Sequence, residues 1–190
     1  MSDNSHILKN GNKILIDHQP FLIIENEFVN PGKGQAFTRV KIRNLLNSKV
    51  LEKTIKIGES IQEADVFNTK MQYLYKEANK YYFMNLDSFE QIQVDETIVS
   101  QNSKWLIDGN DCDVTIWNGE IIQVSASKYI TLKIVSTVDA IKGDTVSSTL
   151  KEATVENGET IMVPIFIKEG ESIRIDTEND TYASREKSDE

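Results

Sequence analysis

The sequence predicts an all-β protein built from short strands and tight turns. Three observations predict it. Short apolar, β-branched runs recur along the chain, several with strict alternation. Gly, Asn, Asp and Pro separate those runs at short intervals. Helical periodicity is scarce, and Asp87-Ser88-Phe89-Glu90 is the one place where a short helical turn could be capped.

The elements follow in order. Lys13-Ile14-Leu15-Ile16-Asp17 and Phe21-Leu22-Ile23-Ile24 read as strands split by Gln19-Pro20. In Thr38-Arg39-Val40-Lys41-Ile42-Arg43-Asn44, Val40 and Ile42 face one way and Arg39, Lys41 and Arg43 the other. Leu51, Ile55 and Ile57 are expected on one face of the next strand, and a polar stretch begins at Gly58-Glu59. A second cluster holds strands at 71–75 and 81–84 around a polar turn, then 104–107, 114–117 and 121–124. Asn118-Gly119 joins the last two as a hairpin. The third cluster holds 129–135, 160–168 and 172–176, punctuated by Gly143, Gly158 and Gly170. Regular short strands of this kind build small barrels or sandwiches. With joints at Asp65 and at Ser125-Ala126-Ser127-Lys128, three modules are expected over 1–64, 65–128 and 129–185, and 186–190 forms a solvated tail.

Composition narrows the function classes. At 190 residues and 39% hydrophobic content, a packed core is available and a wholly disordered chain is not expected. No apolar run approaches the ~20 residues of a membrane helix. The first residues, Met1-Ser2-Asp3-Asn4-Ser5-His6, lack the basic and apolar regions of a secretory signal. A single cysteine, Cys112, allows no intrachain disulfide or cysteine zinc site. These features point to a cytoplasmic location. The net charge of −9 argues against a simple polyanion binder, but its distribution is uneven. Residues 1–64 carry 9 basic and 7 acidic side chains, a net of +2. Residues 65–128 carry 5 and 10, and residues 129–190 carry 7 and 13. A phosphate backbone would therefore meet the first third.

A conventional catalytic constellation is not expected. His6 and His18 are the only histidines and have no ligand-spaced partner. Asp108-Gly109-Asn110-Asp111-Cys112-Asp113 has Cys112 where a calcium loop needs oxygen, and reads as an exposed turn rather than a metal or hydrolytic site. Cys112, Trp105 and Trp117 read as core.

One segment differs: Asn30-Pro31-Gly32-Lys33-Gly34-Gln35-Ala36-Phe37, a hairpin tip between two strands. It lacks the spacing of a phosphate-binding loop. Glycines flank Lys33, removing neighbouring side chains and permitting positive φ, and Pro31 stiffens the approach. The residues alone leave two readings: a solvated turn lysine, or an amine presented into a confined site or to a modifying enzyme. Arg39, Lys41 and Arg43 lead away from the tip, as a solvated sheet face or as phosphate contacts.

Taken together, these motifs resemble the bacterial translation elongation factor P family. The resemblance is carried by 27–37, by Val40-Lys41-Ile42-Arg43-Asn44-Leu45, by Tyr73-Leu74-Tyr75 and Tyr82-Phe83-Met84-Asn85, and by Val114-Thr115-Ile116-Trp117-Asn118-Gly119. Lys142-Gly143-Asp144-Thr145, Val163-Pro164-Ile165-Phe166-Ile167 and Ile175-Asp176-Thr177 extend it, in order, through the last third. The resemblance implies an SH3-like (KOW-like) amino-terminal domain and two OB-type β-barrels in an L-shaped, tRNA-like arrangement. It implies a monomeric, non-enzymatic, cofactor-free factor that binds the ribosome between the P and E sites when synthesis stalls on consecutive prolines.

By the same resemblance, Lys33, between Pro31, Gly32 and Gly34, reaches the peptidyl transferase centre and is enlarged by a lysine-modifying ligase. Arg39, Lys41 and Arg43 would face phosphates of the P-site peptidyl-tRNA. Gly143, Asp144 and Thr145 would meet the E-site codon of the mRNA, and Tyr182 and Arg185 the tRNA or ribosome. Lysine rather than arginine at the tip argues against a rhamnosylated branch, and Gln35 favours β-lysylation over an aminopentanol-type modification or none. The chain departs from the family where Asn30 replaces a frequent second lysine and Ser125-Ala126-Ser127-Lys128 replaces a common proline. Glu152 and 156–158 depart from the usual loop of the third domain. Two other classes remain: a diverged paralogue or general single-stranded nucleic-acid binder on OB-type barrels, or a hydrolase using Asp108, Asp111 or Asp113.

Overall fold

The computed structural model describes residues 6–99, 101–138 and 150–186, and these form three five-stranded antiparallel sheets. The first holds β1 (Lys13–Ile16), β2 (Gln19–Val29), β3 (Phe37–Asn44), β4 (Val50–Lys56) and β5 (Gln62–Glu63), in the order β4-β3-β2-β1-β5. The second holds β6 (Val66–Glu77), β7 (Lys80–Asn85), β8 (Gln91–Asp95), β9 (Asp111–Trp117) and β10 (Glu120–Ala126), in the order β10-β9-β6-β7-β8. The third holds β11 (Tyr129–Thr137), β12 (Leu150–Val155), β13 (Thr160–Pro164), β14 (Ser172–Asp176) and β15 (Thr181–Arg185), in the order β13-β12-β11-β14-β15. By compactness the chain divides into Met1–Thr69 with Val114–Val124, and Lys70–Asp113 with Ser125–Glu190.

The all-β expectation holds; the differences lie at strand ends, in strands that alternation does not mark and in one segment that is not a strand. The first reversal falls at Asp17-His18, both with positive φ, rather than at Gln19-Pro20, which open β2. Two positive φ values in a two-residue link match the right-handed twist of the flanking strands. Asn118 and Gly119 use the same conformation between β9 and β10, as their sequence signals. The strands β5, β8 and β15 escape detection by alternation because each is mostly exposed and lies at a sheet edge, and β12 because its buried positions, Ala153 and Val155, stand in a short and otherwise polar run. Residues 104–107 are not a strand: Gln101–Trp105 forms a 3-10 segment and Leu106-Ile107 continues irregularly. Asn85, not Asp87, organises the next turn, its side-chain oxygen accepting from the amides of Asp87 and Ser88. On β4 only Ile55 is buried, while Leu51 and Ile57 are exposed.

Within the first unit, Leu8, Ile14, Ile16, Phe21, Ile23, Val40, Ile42 and Ile55 form one core. Within the second, Trp105 packs among Leu132, Ile134, Val155, Ile173 and Ile175. Its indole N–H donates to Asp180, which also accepts from Lys104, so a polar group caps the one end of the tryptophan that packing cannot satisfy. These two donors, Lys104 first, hold the Asp180 carboxyl below its ordinary range. Trp117 is half-buried. Cys112 is fully buried, and burial pushes its thiol up to about 12.

Two outcomes follow. Cys112 resists thiol-directed alkylation at neutral pH in the native protein and reacts on denaturation, a difference read by mass spectrometry. A group with a lowered native pKa stabilises fully above its unfolded pKa of about 3.9 and loses that contribution as pH falls through the native value. Asp180→Asn therefore lowers the melting temperature at neutral pH. It also flattens the decline in stability as the pH falls below about 4. The Asp176 carboxyl, likewise lowered, chiefly by the Asn179 side chain, is left intact by this substitution.

Candidate functional site

The candidate site is the hairpin formed by β2 and β3. Its register runs from Phe21↔Asn44 through Ile23↔Ile42, shifts at Ile24, and continues as Glu25↔Lys41, Asn26↔Val40, Glu27↔Arg39, Phe28↔Thr38 and Val29↔Phe37. Past the shift, Glu25, Asn26, Glu27 and Phe28 are exposed, so β2 there contributes no side chain to the core. The ladder persists because β4 pairs with the other edge of β3 all the way from Arg43↔Val50 to Phe37↔Lys56. The amino-terminal segment adds a tie, the Asn26 amide donating to the carbonyl of Leu8. Three strands thus support the base of the tip, and only 30–36 extend beyond them.

At that tip Lys33 is exposed, and its amine has no hydrogen-bond or ion-pair partner among the described residues. Of the two flanking glycines only Gly34 needs its lack of a side chain: its φ is +106°, whereas Gly32 lies outside the left-handed region. Pro31 is half-buried, its ring 3.9 Å from where a Cβ on Gly34 would sit. The tip is therefore narrow, shaped at one position by glycine, and carries a single free amine.

The basic stripe lies on the outer face of β3, as the alternation requires, while Val40 and Ile42 are fully buried. Its three members are not equivalent. Arg39 donates to Glu27 at 3.3 Å and Lys41 to Glu25 at 3.3 Å, each across the ladder from its partner. Arg43 is exposed and has no ion pair among the described residues. The sequence marks the cations but not the acids opposite them, because that pairing depends on the register shift at Ile24. With no shift, Glu25 and Glu27 would stand opposite Val40 and Thr38 instead.

Tyr182 lies on β15, partly buried against the core of its unit, and Arg185 on the same strand donates to Glu171 at 3.5 Å. Gly143, Asp144 and Thr145 lie outside the described residues, as does 187–190 of the tail. Asp108, Asp111 and Asp113 do not converge: among the described residues no group of three His, Cys, Asp or Glu side chains could hold a metal ion. Asp113 instead pairs with Lys70. No helix of the described residues is long and apolar enough to cross a membrane.

Comparison with known proteins adds to this geometry. Family models match three consecutive stretches: the elongation factor P KOW-like domain over 5–61, its OB domain over 66–124, and its C-terminal domain over 130–185. Among solved structures, the chain is similar to eukaryotic translation initiation factor 5A from Methanococcus jannaschii, with 22% identity and a TM-score of 0.51. That match covers 62% of this chain and 88% of the other, and shows a shared fold. A translation initiation factor eif-5a family protein from Naegleria fowleri ATCC 30863 matches at 17% identity and a TM-score of 0.46, over 62% and 92% of the two chains. Three family models in consecutive order, over nearly the whole chain, establish that it belongs to the elongation factor P family of ribosome-binding translation elongation factors.

Proposed function

We propose that this protein binds the cytoplasmic ribosome between the P and E sites, as a monomer, and stimulates peptide-bond formation at consecutive prolines. The observation that carries this reading is Lys33: a free amine at the end of a hairpin whose ladder pairing runs to its last residues. Proline constrains both the attacking amine and the nascent chain, through its ring and fixed φ. A factor that holds the end of the peptidyl-tRNA in a near-attack geometry lowers that barrier by orientation, with no acid or base of its own. Such a task needs reach, positive charge and stiffness. Lys33 supplies the first two and the three-strand base the third.

In this reading Lys33 is β-lysylated by a ligase resembling lysyl-tRNA synthetase, which lengthens its reach and adds an amine. Arg39, Lys41 and Arg43 meet phosphates of the P-site tRNA. Tyr182 and Arg185 contact the tRNA or ribosome, and Gly143, Asp144 and Thr145 the E-site codon. The three modules of this reading are 1–64, 65–128 and 129–185.

The test is reconstituted translation of a reporter with three consecutive prolines, comparing no factor, protein from its native host, and Lys33→Ala. Native protein rescues synthesis and Lys33→Ala does not. Its melting temperature stays within a few degrees of native, since exposed surface substitutions stay within about 0.5 kcal/mol. Absence of rescue by the native protein, beside a working factor of the family, removes the stall-relief reading. A second outcome tests stiffness. Gly34→Ala, which strains a φ that side chains rarely adopt, loses several-fold in rescue, whereas Gly32→Ala, facing open space, keeps most of it.

A further inference from the structure

The β3 cations differ in availability, and the difference has a pattern. Glu27 and Glu25 stand directly across the ladder from Arg39 and Lys41 and hold them in ion pairs. Glu52 stands opposite Lys41 from the other side, on β4. These five charged side chains and Asn26 line one groove along the flank of the hairpin. Three carboxylates against two cations leave it with a net charge of −1. Arg43 at the foot of the strand and Lys33 at the tip have no ion pair among the described residues. Six residue steps from Arg43 to Phe37 place the free cation at the foot roughly 20 Å from the base of the tip.

We infer that Glu25 and Glu27 are specificity-determining residues that mask the middle of the basic stripe against free RNA. The inference rests on the reading of these cations as phosphate contacts. A lone phosphate approaching the groove must compete with a carboxylate already seated on each cation. The surrounding charge repels it. The pairs are exposed, at 52% and 66% for Arg39 and Glu27 and 40% and 66% for Lys41 and Glu25, so they are weak enough to be exchanged. A ligand that engages Lys33 and Arg43 together presents phosphates to the middle at high effective concentration and displaces the acids. An RNA that meets only part of the stripe does not. The carboxylates thus lower affinity for free RNA more than for a ligand that spans the hairpin.

The experiment compares native protein with Glu25→Gln/Glu27→Gln, which keeps shape and removes charge. The probe is a free RNA hairpin duplex of about 20 base pairs, followed by fluorescence anisotropy between about 50 and about 200 mM salt. The double variant binds the duplex about tenfold more tightly. Its dependence of log K on log salt steepens by up to about 2, one for each cation released to a phosphate. Unchanged affinity and slope overturn the inference. Arg39→Ala/Lys41→Ala, assayed for ribosome binding, separates the two failures. Native ribosome affinity in that variant removes the phosphate-contact reading and the inference with it. Weakened ribosome affinity, beside an unmoved Glu25→Gln/Glu27→Gln, removes the inference alone.

Discussion

Backbone pairing between β2 and β3 continues for five residue pairs after β2 has stopped contributing to the core, and the functional geometry depends on that continuation. A two-stranded ribbon with neither face buried is marginal in water. Here β4 supplies the missing support, lying against β3 as far as Phe37. On β3, Val40 and Ile42 anchor the inner face, while the outer face carries Arg39, Lys41 and Arg43. One strand therefore ties the tip to the core and lines up the cations that lead away from it.

The register shift at Ile24 has two consequences. It frees the outer part of β2 from the alternation that governs Phe21 and Ile23, so polar residues occupy it without a burial cost. It also brings Glu25 and Glu27 opposite Lys41 and Arg39. The same local irregularity thus permits the extension and sets the electrostatics of its flank. The paired cations behind the tip follow from one backbone step.

The second unit is held differently. Its core is apolar and continuous from Trp105 through Ile175, and Asp180 supplies the polar tie of its tryptophan. Asp180 lies in a turn with φ of +54° and accepts from two residues more than seventy positions earlier. A short polar turn residue thereby fixes a bulky tryptophan that belongs to an irregular segment. Packing alone would leave the indole N–H unsatisfied, at a cost comparable to a lost hydrogen bond.

Much of this was legible in the sequence. Alternation in 38–44 assigns Val40 and Ile42 to the core and the three cations to solvent, because side-chain direction has a period of two. Asn118-Gly119 names its own turn, since few residue pairs accept two positive φ values. The Gly-flanked Lys33 between two strands marks the tip, because a bare lysine there has no local means of pairing. What local pattern could not decide depends on partners distant in the chain. The length of β2 is set by β3 and β4 rather than by its own polar residues. Gln101–Trp105 becomes a 3-10 segment because Trp105 is drawn into a core built from β11, β12 and β14. Gly32 and Gly34 look alike in sequence, and only the closed loop shows that one of them carries the positive φ. The pairing of Arg39 and Lys41 with Glu27 and Glu25 is a matter of register, which the tertiary structure alone decides, because shifting a ladder by one residue changes every neighbour across it.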